Sequence, residues 1–154
     1  MSSIEEFQQC ATREYGIEVE PHEFPEGTKT ARDAAEALGC DVREIASSIV
    51  LVADEPVVVV ISGPDHVDTR ALATVRNVHE ARLAEPDEVE DATGYPVGAV
   101  PPFCHETDVP VYVDEAVTEH EQVWVAAGSS DAVFPIDPET LVECADATVV
   151  DVAK

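Results

Sequence analysis

Ile45-Ala46-Ser47-Ser48-Ile49-Val50-Leu51-Val52-Ala53-Asp54-Glu55-Pro56-Val57-Val58-Val59-Val60-Ile61-Ser62 reads as two consecutive strands. Both halves are dense in Val and Ile, whose branched side chains suit a pleated, packed surface. Only Asp54-Glu55 interrupts them, which predicts an antiparallel hairpin of residues 45–53 and 56–62. Residues 57–61 are apolar at every position. A strand with one wet face alternates instead, so this one is expected to be covered on both faces.

The flanking sequence supplies the covering layers. Upstream, Ile4, Phe7, Ala11 and Tyr15 form one stripe of an opening helix. Residues 17–24 read as a short strand that turns at Pro25-Glu26-Gly27. A second helix runs from Thr30 to Leu38, with Thr30 as its cap, Asp33 answering three residues later and Gly39 as its stop. Its Ala31, Ala34, Ala35 and Leu38 make a narrow face suited to close packing on a sheet. Downstream, residues 68–75 are expected to be helical and 81–83 a brief strand. Pro86 opens a helix that ends at Gly94. Strands follow at 109–114, 123–127 and 133–136. Asp137-Pro138 starts a helix to about residue 145, and 148–152 closes as a strand. The expected fold class is α/β (mixed α+β): a single domain over residues 1–154, a mixed β-sheet with peripheral helices and no internal repeat.

Charge narrows the partners. There are 33 acidic and 8 basic residues, a formal net charge of -25. The acids are dispersed, and Lys29 and Lys154 are the only lysines. A dispersed acidic surface poor in lysine is the composition of proteins from salt-accumulating halophiles, where roughly 1 M salt shortens the Debye length to about 3 Å. Arg13, Arg32, Arg43, Arg70, Arg76 and Arg82 are isolated, so nonspecific nucleic-acid binding is not expected. Recognition of one chain terminus by shape and hydrogen bonds stays open. No apolar run approaches the ~20 residues of a membrane span. The first residues are polar and acidic, unlike a signal peptide, so a cytoplasmic protein is expected. Cys10, Cys40, Cys104 and Cys144 are scattered without a C-x-x-C pair and read mostly as small buried side chains, a structural disulfide being the lesser alternative.

Candidate chemistry centres on Thr93-Gly94-Tyr95-Pro96-Val97-Gly98-Ala99-Val100-Pro101-Pro102-Phe103. Two glycines four apart permit positive φ and close approach of a ligand to the backbone. The prolines then fix the exit and remove donors. Such a loop is either a tight connection or a ligand wall. Phosphate-loop, dinucleotide, nucleophile-elbow and zinc-protease motifs are absent. Cys104-His105-Glu106 offers potential ligands, but adjacent residues rarely face one metal. His66 beside Asp65 reads as a turn residue. No D-x-D-x-D-G calcium loop occurs.

The order of motifs then becomes recognisable. Thr30-x-x-x-Ala34-Ala35-x-x-Leu38-Gly39, Ile45-Ala46-Ser47-Ser48-Ile49-Val50, Ile61-Ser62-Gly63, the 93–103 loop, Val111-Tyr112-Val113-Asp114 and Val125-Ala126-Ala127-Gly128-Ser129 follow one another. Together, over residues 21–145, they resemble the YbaK/ProX family of aminoacyl-tRNA editing domains, free-standing or inserted in bacterial prolyl-tRNA synthetase. The resemblance implies a barrel-like mixed sheet flanked by helices. It also implies a trans-editing hydrolase that cleaves the ester of mischarged tRNA without metal or cofactor. Its implied partners are the aminoacyl-tRNA 3′ end and an aminoacyl-tRNA synthetase. It assigns catalytic positions to Gly98, Ala99 and Ser47, and substrate-binding positions to Thr30, Gly94, Val100, Pro101, Asp114, Gly128 and Ser129. A ribose hydroxyl borrowed from the substrate would replace a strong protein base, which fits a chain with no Ser-His-Asp or Cys-His constellation. One departure stands out: Ser47 occupies the lysine position of the family's I-x-K-[ST]-L segment. A hydroxyl supplies no charge-assisted bond, so a non-catalytic binding module of the same fold, or a synthetase-associated partner, stays open.

Overall fold

The computed structural model describes residues 3–24 and 30–154. The expected turn at Pro25-Glu26-Gly27, and Lys29, lie outside the described residues. In chain order the elements are α1 (Ser3–Tyr15), β1 (His22–Glu23), α2 (Ala31–Leu38), β2 (Ala46–Ala53), β3 (Glu55–Ser62) and α3 (Thr69–Arg76). Then come β4 (Arg82–Leu83), α4 (Pro86–Thr93), β5 (Val111–Asp114), β6 (Val123–Ser129), β7 (Ala132–Ile136), α5 (Pro138–Ala145) and β8 (Thr148–Val150). Short 3-10 helices at Val42–Glu44 and Glu115–Glu119 complete the set.

The hairpin forms as its composition dictates. β2 and β3 pair antiparallel from Ala46–Ser62 to Ala53–Glu55, with Asp54 alone at the tip in a left-handed conformation (φ 74°). Valines 57–60 are fully buried. Val58 and Val60 face a core of Phe7, Phe103, Phe134 and Val113, while Val57, Val59 and Ile61 face Leu72 and Val152. Both faces are therefore covered. β3 also pairs parallel with β5, and β5 with β8, giving a mixed sheet in the order β4-β2-β3-β5-β8.

A second sheet, β1-β7-β6, meets the first at one parallel bridge, Ile45 to Trp124. The sheets do not close into a barrel, which corrects the barrel-like expectation. Past that bridge, residues 46–50 of β2 and Ala126 of β6 line a cleft instead of pairing. The failure of closure is what creates the concavity.

Helix ends follow local sequence. The Asp33 N–H donates to Thr30 Oγ1 (3.1 Å), the Thr30 N–H donates to the Asp33 carboxylate (3.3 Å), and Gly39 closes α2 at φ 72°. α4 opens on Pro86 and ends at Gly94 (φ 83°), whose N–H donates to Glu90 O at 2.8 Å. Two expectations fail. Of residues 17–24 only His22–Glu23 is strand, pairing with β7, because Ile17 and Val19 are tied to α1. The Gln8 Nε2 donates to Val19 O (3.0 Å) and Thr12 Oγ1 to Ile17 O (3.1 Å). The cysteines also differ from expectation, since Cys10 of α1 is disulfide-bonded to Cys104. Their 94-residue separation leaves no spacing signal. Cys40 and Cys144 are free, partly buried thiols, and burial raises the pKa of each.

Candidate functional site

The cleft has a volume of about 420 Å³. Residues 45–50 form its floor, Thr30, Ala31 and Ala34 of α2 one wall, and Val97, Gly98 and Val100 the other. Trp124 and Ala126 enter from β6 and Ser130 from the β6–β7 turn. Among the described residues no Asp, Glu, Lys or Arg lines it, in a chain with 33 acids. A neighbouring concavity carries Glu55, Glu88, Asp91 and Asp108 instead. The described lining is thus an uncharged window in an acidic chain, made of apolar side chains and hydroxyls.

The 93–103 loop is held from below. Thr93 is buried, donates from Oγ1 to Val89 O (2.7 Å) and accepts the Tyr95 N–H (3.2 Å). The Glu106 N–H donates to Thr93 O (2.9 Å) and Thr107 Oγ1 to Ala92 O (2.7 Å). Phe103 packs against Phe7 (ring centroids 5.6 Å) and edge-on to Tyr15 (5.1 Å). The His105 Nε2–H donates to Pro101 O (2.7 Å), which fixes the tautomer, and burial lowers the pKa of the ring. The loop is a rigid wall.

The structure gathers Thr30, Ser47, Gly98 and Val100 around the cleft. The other expected positions lie outside its lining. Ala99 is buried and its N–H donates to Pro96 O (3.0 Å), leaving Gly98 as the neighbour whose amide has no backbone partner among the described residues. Pro101 is buried with its carbonyl taken by His105. Gly94 is the α4 cap, where an added Cβ would stand 3.2 Å from the Glu106 side chain. Asp114 is a buried brace: one oxygen accepts the Val152 and Ala153 N–H groups (2.9 and 3.1 Å), the other the Ala116 N–H (3.1 Å). Gly128 (φ 92°) backs onto α1, where a Cβ would lie 2.8 Å from Ser3 O. Ser129 hydrogen-bonds Asp131 beside the cleft residue Ser130.

Sequence reading missed Trp124, Ala126 and Ser130. The first two were findable from strand alternation, since Val123, Val125 and Ala127 are buried and the even positions must face the other side. The Ser48 Oγ is shut off from solvent with no hydrogen-bond partner among the described residues. No group of three His, Cys, Asp or Glu residues among the described residues is placed to hold a metal. No described helix is long and apolar enough to cross a membrane.

Comparison with known proteins gives the family. The aminoacyl-tRNA editing domain family matches residues 25–144. The uncharacterized protein YwhH of Bacillus subtilis is 30% identical over 135 residues, 86% of this chain and 85% of that protein. EbsC of Enterococcus faecalis, provisionally named a Cys-tRNA(Pro)/Cys-tRNA(Cys) deacylase, is 27% identical over 134 residues, 80% of this chain and 82% of that one. A crystal structure of a provisionally named trans-editing enzyme for prolyl-tRNA synthetase superposes with a TM-score of 0.94 at 30% identity, covering 100% of this chain and 98% of that one. The chain belongs to the aminoacyl-tRNA editing domain family.

Proposed function

We propose that this editing-domain protein is an aminoacyl-tRNA deacylase, a trans-editing hydrolase that cleaves the ester of mischarged tRNA. The observation that carries the reading is the uncharged cleft walled by Gly98 and floored by Ser47. Ester hydrolysis needs a positioned water and a donor aimed at the oxygen that becomes negative. The Gly98 N–H fits the donor role, because its side chain is absent and φ is 88°. Water adds to the ester carbon, the bond to the ribose oxygen breaks, and that oxygen leaves with a proton. A substrate ribose hydroxyl orients the water, so the cleft needs no protein base. Ser47 serves as a neutral hydrogen-bonding group at the carbonyl. The small lining residues Ala84, Val89 and Val100 at the loop end suit a small side chain such as that of alanine or cysteine.

The 3′ end of aminoacyl-tRNA is the partner, and a synthetase that releases the mischarged product is a second one. The competing reading, a module that binds without hydrolysis, is favoured by one observation: no cation among the described residues lines the cleft. Incubation with tRNAs mischarged with alanine, cysteine or serine in molar KCl separates the two. A deacylase releases free amino acid faster than buffer does, and a binding module does not. Ser47→Lys then raises turnover if the missing cation limits the rate.

A further inference from the structure

The cleft has two chemically different ends. Both β2 and β6 run from the Ile45–Trp124 bridge toward the loop. From Ile45 to Val50 the floor spans about 16 Å at strand spacing. At the far end Val50, Val89 and Val100 pack together in the main core, and the Ala84 N–H donates to Val50 O (3.1 Å). At the near end Trp124 and Phe24 sit over α2 with Ile45, Ala31 and Ala34. The His22 ring meets Trp124 edge-on, centroids 4.9 Å apart at 89°. Trp124, Phe24, the α2 cap Thr30 and Ala31 all line the cleft, and none of the described lining residues at either end is charged.

We propose that the Trp124 end is a subsite for the purine base of the nucleoside that carries the ester. This rests on the deacylase reading: with the aminoacyl group at the loop, the terminal adenosine must extend the other way along the floor. Every nucleobase has a π-face, so a half-buried indole beside a phenyl ring holds one by stacking without any charge. Such recognition suits a chain whose net charge of -25 and dispersed arginines disfavour gripping phosphates. His22, exposed at the β1 edge, steadies the indole plane from outside the cleft.

Trp124 is the only tryptophan, so its emission reports the subsite directly. Titration of the intact protein with adenosine in molar KCl should change that emission saturably, while ribose should leave it unchanged. Trp124→Ala should raise KM for mischarged tRNA about tenfold with kcat nearly unaltered, and Trp124→Phe should recover most of the loss. A silent tryptophan up to millimolar adenosine overturns the proposal. So does adenosine binding combined with an unmoved KM in Trp124→Ala, which would mark a free-nucleoside site rather than the tRNA end. If Trp124→Ala does not fold, the wild-type titration and the KM of Trp124→Phe decide. The two readings fail separately. Adenosine-dependent emission with no ester cleaved removes the deacylase and keeps a nucleobase site, whereas cleavage with a silent tryptophan removes only the subsite.

Discussion

Gly98 and Gly128 share a left-handed backbone but stand in different surroundings. An added Cβ at Gly98 would find Ser130 Cβ no nearer than 3.8 Å, whereas at Gly128 it would meet Ser3 O at 2.8 Å and Phe7 Cβ at 3.2 Å. Gly98→Ala should therefore cost only the left-handed penalty, about 1–2 kcal/mol. Gly128→Ala should cost more, because α1 must move, and thermal melts of the two variants test the order. Gly98→Val should in addition lower kcat/KM for a cleaved ester by about a hundredfold, because a branched side chain resists φ 88° and so swings the N–H off its aim. The Arg82–Glu88 pair at the β4 rim makes a second prediction. Its two hydrogen bonds (2.8 and 2.9 Å) hold the Glu88 carboxyl down to about 2 from 4.5. The folded value is depressed, so the pair's support is complete above pH 4.5 and is lost as pH falls through 2. Both groups face solvent, so molar KCl should move the Glu88 midpoint, followed by carboxyl NMR, back toward its ordinary value.

Elements with local signals were legible. The capping box of α2, the Pro86 start and Gly94 stop of α4, and the β2–β3 hairpin all rest on contacts within a few residues, which sequence spacing encodes. The stretch before β1 was not, because Gln8 and Thr12 of a preceding helix claim its carbonyls and only His22–Glu23 reaches the sheet. The Cys10–Cys104 disulfide was equally hidden, since it links α1 to the chain just past the loop and depends on tertiary docking. It closes a long span of chain, so its removal should cost about 2–5 kcal/mol. Dithiothreitol or Cys10→Ser should accordingly lower the melting temperature by roughly 5–15 °C. An unchanged melting temperature would mean that aromatic packing of Phe103 on Phe7 holds α1 unaided. Thr30→Ala should cost about 1 kcal/mol through loss of the α2 cap.

For the molecule as a whole, composition foretold an acidic surface but not where it stops. The described lining of the cleft escapes charge because residues from α2, β2, β4, α4, the loop and β6 converge there, and no linear window shows that convergence. The bridge between Ile45 and Trp124, which decides that two sheets meet without closing, lies equally beyond local reading. Which of the family-inferred positions face the site was also a question of packing. Ser47 and Gly98 do, whereas Asp114 turns inward to brace the C-terminal residues. We further propose that the acidic surface is an adaptation to high salt. A charge of -25 repels a polyanion, so kcat/KM toward tRNA should rise between about 0.1 and 1 M KCl, opposite to the fall seen when basic patches bind nucleic acid. An aminoacyl-adenosine, lacking phosphates, should show a much flatter dependence, and a parallel rise would mean that salt acts on the fold instead. Whether the cleft hydrolyses esters is decided by deacylation of alanyl-, cysteinyl- and seryl-tRNA in molar KCl by wild type and Gly98→Val. Wild type should cleave at least one ester well above the buffer rate, and Gly98→Val should cleave it about a hundredfold more slowly. Decay of all three at the buffer rate with folded wild-type protein would contradict hydrolysis in the cleft.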